Sequence, residues 1–189
     1  MTDPAFVLET FHNKYLPEGS GEVDAIVSIT ASGQGATAAP ERVAEVIMID
    51  CSGSMNDPAD KAQAAKRATR AALDALPDGV LVAVVAGRHD ARMVFPTTES
   101  MVALGPGVRS QAGAAVDRLR PSGGTAIGTW LDLARRLFSG HPDLIRHAIL
   151  LTDGRNEHET PEELAASLAA CSSSGCSATL PSRSPRPGH

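Results

Sequence analysis

Aromatic side chains are scarce in this chain of 189 residues: one Trp, one Tyr and four Phe, 3% in all. Val, Ile, Leu and Ala must therefore build its core. Cysteine is scarce too. Cys51, Cys171 and Cys176 do not make a disulfide framework. No run of about 18 apolar residues occurs, which excludes a membrane-spanning helix. The start, MTDPAFVLET, lacks the basic residues and apolar run of a signal peptide. No Lys/Arg cluster interleaved with aromatics offers a nucleic-acid track. The expectation is a cytoplasmic, reduced protein with neither membrane nor nucleic acid as partner.

What remains is ordinary for a soluble globular chain: 42% hydrophobic, 21% charged, net charge -5. The length suits one domain with a core and a small appendage.

Three short apolar runs read as buried parallel strands: VIMI (46–49), VLVAVVA (80–86) and HAILLT (147–152). Their near-continuous hydrophobicity is expected where helices cover both sheet faces. ARMVF (91–95), just after the turn at GRHD, reads as an antiparallel edge strand. Helical patterns lie between. Asp57-Pro58-Ala59-Asp60 looks like a helix start with proline at its first position. Ala62, Ala65, Ala68, Ala72 and Leu76 follow as an apolar stripe, stopped by Pro77 and Gly79. Val108, Ala112, Val116 and Leu119 form a second stripe; Ile127, Leu131, Ala134 and Phe138 form a third. Thr160-Pro161-Glu162-Glu163 is a capping box opening a helix to about Ala170. The alternation implies an α/β fold with a mostly parallel sheet.

The ends differ from this body. Within residues 1–43, EVDAIVSIT alternates Val23, Ala25, Val27 and Ile29, as a half-buried antiparallel strand does. ASGQGATAAP (31–40) reads as a flexible connection. Residues 171–189, CSSSGCSATLPSRSPRPGH, are rich in Ser, Pro and Arg and read as a disordered tail. The expected organisation is an N-terminal β extension and linker (1–43), an α/β domain (44–170) and the tail (171–189).

Binding residues of a parallel α/β sheet collect at the carboxyl ends of its strands. Three polar groups occupy such places. Asp50, Ser52 and Ser54 follow the first core strand in IDCSGSM. Gly123-Gly124-Thr125 precedes the third helix. Asp153-Gly154 follows AILLT. Their side chains offer two carboxylates and three hydroxyls, and an all-oxygen set suits Mg²⁺, Mn²⁺ or Ca²⁺ rather than zinc. Thr125 reads equally well as the N-cap of the third helix.

These residues resemble the metal-ion-dependent adhesion site of von Willebrand factor type A (VWA) domains. That family's motif is D-x-S-x-S after the first strand, a distant Thr, and a distant Asp in a TDG-type turn. IDCSGSM, SGGTAIG and LLTDG match all three in order, and the resemblance covers about residues 44–170. It implies a Rossmann-like, doubly wound sheet. It implies that Ser52, Ser54 and Thr125 contact the metal through hydroxyls, and that Asp50 and Asp153 hold it directly or through water. It implies a non-enzymatic module whose open coordination position takes a carboxylate from a partner protein. It implies a partner from an ATPase or a kinase/phosphatase signalling system, and the leader YLPEG…VDAIVSIT resembles that of bacterial stand-alone members. The family continues with two more strands and helices where this chain enters its tail. A truncated domain, either a fragment or a product of a lost reading frame, is expected, with HAILLT as an exposed edge.

Other chemistries fit less well. A haloacid-dehalogenase-type phosphatase needs a second Asp where Ser52 stands. A serine hydrolase needs a His and an acid beside its nucleophile, whereas His147 starts a buried strand. HETPE (158–162) lacks the second His of a zinc motif. Cys171 and Cys176 have no matching Cys/His pair, and Cys51 reads as a small buried filler. The alternatives to a binding module are a Mg²⁺-dependent hydrolase or phosphatase, with Asp57 or His89 as general base, or a truncated product without function.

Overall fold

The computed structural model describes residues 5–12, 25–32, 43–56, 60–153 and 156–179. Contacts divide the chain between Pro40 and Glu41. The first core strand begins at Val43, so residue 43 belongs to the domain and not to the expected linker.

In the first unit, β1 (Ala5–His12) and β2 (Ala25–Ser32) pair antiparallel, Ala5 opposite Ser32 and His12 opposite Ala25. The sequence pattern gave β2; β1 adds its partner.

The second unit is a six-stranded sheet with helices on both faces. In chain order it contains β3 (Val43–Asp50), α1 (Asp60–Ala75), β4 (Leu81–Gly87), β5 (Ala91–Phe95) and β6 (Val102–Ala103). Then come α2 (Pro106–Asp117), α3 (Ile127–Ser139), β7 (Ile145–Leu151), α4 (Pro161–Ser173) and β8 (Cys176–Thr179). The strand order is β5-β4-β3-β7-β8, with β6 also on β4. β3, β4, β7 and β8 run parallel; β5 and β6 run antiparallel to β4. The chain moves from β3 outward to β4, then returns to the other side of β3 for β7. That reversal makes the sheet doubly wound, with its switch point at the end of β3.

The apolar runs are continuous because alternate side chains feed two separate cores. Val46 and Met48 pack with Trp130, Leu131, Ala134 and Phe138 of α3. Ile47 and Ile49 pack with Ala62, Ala65 and Leu73 of α1 and Ala112 and Val116 of α2. The stripe of α1 is rotated from the expected one. Ala62, Ala65, Lys66, Thr69 and Leu73 are buried, while Ala68 is exposed. Lys66 can face inward because its ammonium donates to the carbonyls of Asp117 (3.0 Å) and Leu119 (2.8 Å). The expected helix start at 57–59 lies outside the described residues. The capping box of α4 is present: Glu163 N–H donates to Thr160 Oγ1, and Thr160 N–H donates to Glu163 Oε2.

The tail requires a correction. α4 continues to Ser173, and β8 pairs with β7 from Arg146–Cys176 to Ile149–Thr179. The β7 edge supplies a ladder of backbone partners, so a segment with little apolar content still forms a strand there. The expectation of a bare β7 edge is overturned for those positions. Residues 180–189 lie outside the described residues. Among the described residues no helix is long and apolar enough to cross a membrane.

Candidate metal centre

Asp50 is the last residue of β3, at the switch point. It is 1% exposed. A carboxylate there needs donors, and two hold it: Ser52 N–H reaches Oδ1 at 2.8 Å, and Thr152 Oγ1 donates to Oδ2 at 2.7 Å. The first bond turns the chain at once into a short 3₁₀ turn, Gly53–Asn56. That turn brings Ser52 and Ser54 to the same place, their hydroxyl oxygens 3.0 Å apart. Ser52 is also 1% exposed. The second bond ties the end of β3 to the residue before Asp153.

Backbone bonds stitch this turn to its neighbours. Cys51 N–H donates to the Gly87 carbonyl at the end of β4 (2.8 Å). Ser122 N–H donates to the Cys51 carbonyl (2.7 Å), and Gly53 N–H donates to the Gly123 carbonyl (2.8 Å). Gly123 turns with φ +78°, a conformation that side chains disfavour. The SGGT loop is thus fastened to the DCSGS loop two residues before Thr125.

Thr125 is 2% exposed. It is not the N-cap of α3: Ala126 holds that position and makes no side-chain cap. The cap comes from the loop after β7. Asn156 Oδ1 accepts from Ile127 N–H (3.2 Å), and Glu159 Oε2 accepts from Gly128 N–H (2.8 Å). The same loop clamps Thr125 itself. The Thr125 carbonyl accepts from Glu157 N–H and His158 N–H, and Thr125 N–H donates to His158 Nδ1 (3.3 Å). Its side chain is left to other uses than capping. Asp153 lies two residues beyond β7, its Oδ2 3.1 Å from Lys61 Nζ at the start of α1. Gly154 of the TDG turn lies outside the described residues.

Asp50, Ser52 and Ser54 therefore share one turn, and direct bonds join that turn to the loops that carry Thr125 and Asp153. Five contributing side chains were not visible in the sequence: Thr152, Asn156, His158, Glu159 and Lys61. Only Thr152, a hydroxyl next to Asp153 in LLTDG, left a local signal.

The donor set fits a hard divalent cation. It is made of oxygens, and its most buried carboxylate, Asp50, takes both hydrogen bonds above from neutral groups. A buried anion calls for a compensating positive charge. Among the described residues no group of three or more His, Cys, Asp or Glu gathers as a metal cluster, so hydroxyls make up most of the candidate donors here. Cys51 offers no nucleophile: it is 2% exposed, and burial pushes its thiol up to about 11. His147 belongs to the opposite end of the sheet, where its Nδ1 lies 2.9 Å from the Glu45 carboxylate.

Known proteins share this fold. The sequence pattern of the von Willebrand factor type A domain family matches residues 46–156. A von Willebrand factor type A structure from Catenulispora acidiphila is 44% identical, superposes with a TM-score of 0.74, and is matched over 94% of this chain and 40% of its own. An uncharacterized protein of Synechocystis is 33% identical over 115 residues, 59% of this chain and 25% of that protein. The fold also resembles proximal thread matrix protein 1 of the mussel byssus, solved with its MIDAS motif occupied by zinc, at 20% identity, TM-score 0.61, 74% of this chain and 37% of that one. The chain spans less than half the length of each. Domains of this family typically mediate protein–protein interactions and commonly bind a divalent metal. From residue 46 to residue 156, this chain belongs to the von Willebrand factor type A domain family.

Proposed function

We propose that this chain is a divalent-metal-dependent protein-binding module of the cytoplasm. Ser52, Ser54 and Thr125 would hold the ion through hydroxyls, and Asp50 and Asp153 through carboxylates, directly or by way of water. Mg²⁺ is the first choice, with Mn²⁺ and Ca²⁺ as alternatives. The ion would supply an open coordination position for a carboxylate of a partner protein. A component of an ATPase or of a kinase/phosphatase signalling system is the kind of partner proposed. The observation that carries this reading is Asp50: a nearly fully buried carboxylate at the switch point, beside paired hydroxyls 3.0 Å apart.

Calorimetric titration with Mg²⁺ tests it. The wild-type chain should bind and Asp50→Ala should not. Equal binding by both would move the site elsewhere. Partner capture from a lysate should vanish in EDTA and return with Mg²⁺.

Metal-dependent hydrolysis has one observation in its favour. His89 and His158 flank the Gly123–Thr125 loop, their ring centroids 6.5 Å apart. Turnover of a phosphate ester that Mg²⁺ supports and His89→Ala removes would favour that second reading over the first.

A further inference from the structure

Lys61 Nζ lies 3.1 Å from Asp153 Oδ2, across 92 positions of sequence. Both side chains are sheltered, 26% and 15% exposed, whereas Arg70 and Asp117 pair on the surface at 49% each. Helix energetics do not account for this lysine. It is the second residue of α1, where the helix dipole favours anions and opposes cations. Nor is lysine common here. The chain has three, Lys14, Lys61 and Lys66, and arginine makes up the rest of its 17 basic residues. The other lysine of α1, Lys66, is committed to two backbone carbonyls. Lys61 alone on this helix is committed to a residue of the proposed metal site.

We propose that Lys61 is an internal competitor for the ion at this site, setting how tightly and how selectively the site is loaded. The inference rests on the metal-site reading above. The ammonium gives the Asp153 carboxylate a positive neighbour within the protein itself. A divalent ion that recruits Asp153 must displace that ammonium or work against its charge, so the Lys61–Asp153 pair lowers ion affinity. A monovalent cation brings no more charge than the ammonium it would replace, which biases the site towards divalent ions. Lysine suits the task where arginine would not. Its ammonium is a point charge on a flexible four-carbon stem, whereas a guanidinium would hold the carboxylate through two bonds. The lysine has room to move. It lines a groove of about 300 Å³ with Met55, Ala64, Ala65, Ala68 and Leu151, and that groove also reaches Asp153.

The test is titration of the full chain with Mg²⁺ alone, comparing wild type, Lys61→Met, Lys61→Arg and Asp50→Ala. Methionine keeps an unbranched stem in the groove and removes the charge. Lys61→Met should bind Mg²⁺ about fivefold more tightly than wild type, as loss of one partly sheltered ion pair predicts. Lys61→Arg should bind no more tightly than wild type. Spectra of the lysine ammonium groups should show the Lys61 signal shifting on Mg²⁺ saturation of the wild type. Equal or weaker binding by Lys61→Met, with Asp50→Ala inactive, overturns the competitor and leaves the metal site standing. Failure of the wild type itself to bind Mg²⁺ removes both. If circular dichroism finds Lys61→Met unfolded, Lys61→Gln takes its place with the same expectations.

Discussion

Thr152 and Asp50 lock two strand ends together: the Thr152 hydroxyl donates to Asp50 Oδ2 at 2.7 Å, across the parallel pairing of β7 with β3. Thr152 is the last residue before Asp153, so the bond sets both carboxylates of the proposed site in one arrangement. Thr152→Val keeps the shape and removes the donor. A hydrogen bond to a buried charged group is worth about 1.5–3 kcal/mol. Urea denaturation without metal should show a loss of that size. Titration should show weaker Mg²⁺ binding as well, although Thr152 is not among the proposed ligands. Unchanged stability in Thr152→Val would mean that Asp50 is held by other means.

Gly87 ends β4 directly against the Trp130 ring. A Cβ at that position would lie 2.2 Å from Trp130 Cε2 and 2.3 Å from Cδ2. The ring has nowhere to go: it is fully buried, and its Nε1 donates to the Arg88 carbonyl at 2.7 Å. Overpacking of this kind costs about 1–3 kcal/mol, and Gly87→Ala should lie at the upper end of that range in thermal denaturation. Trp130→Leu in the same chain should recover part of the loss. A Gly87→Ala protein as stable as wild type would show that β4 and α3 can separate more easily than their packing implies.

These contacts mark what could and could not be read along the chain. β3, β4 and β7 were legible because helices on both faces demand unbroken apolar runs. α4 was legible from its own capping box. β8 was not, because Cys176-Ser177-Ala178-Thr179 has no apolar pattern and owes its form to the β7 edge. Lys66 could not be placed inside, since the carbonyls that satisfy it lie 51 and 53 residues away. At the site, D-x-S-x-S, the SGGT loop and TDG were visible as motifs. The groups that fix them, the Gly123 carbonyl, Thr152 and the His158 imidazole, act across folds of the chain that spacing does not encode.

Glu45 and His147 face each other across β3 and β7, far from the proposed site. Burial raises the Glu45 carboxyl above its usual 4.5, and the hydrogen bond and charge of His147 offset part of that rise. The folded state therefore holds the Glu45 proton more tightly than the unfolded chain does. This stabilisation is complete below about pH 4.5 and is lost as pH rises through the folded value. Glu45→Gln cannot ionise. Its stability relative to wild type should grow across the mildly acidic range above 4.5, measured by denaturant midpoints at a series of pH values. A difference that stays constant with pH, or shrinks, would contradict the assignment.

Thr125 separates folding from binding most cleanly. Its backbone is what the fold uses: the carbonyl accepts from Glu157 and His158, and the amide donates to His158 Nδ1. All of these survive Thr125→Ala. The buried stripe of Ile127, Leu131, Ala134 and Phe138 on α3 is untouched, and the capping of that helix by Asn156 and Glu159 does not involve the threonine hydroxyl. The cost to stability should be about 1 kcal/mol, that of a small buried truncation. If the hydroxyl is a metal ligand, the effect on Mg²⁺ should be larger, about tenfold or more, since even groups that only orient ligands cost that much when removed. Partner binding should weaken in step with Mg²⁺ affinity and be partly restored by raising Mg²⁺. Paired measurements, denaturation for the first quantity and calorimetry for the second, decide it. If Thr125→Ala loses stability heavily and binds Mg²⁺ as wild type does, its hydroxyl belongs to the fold and the ion is held without it.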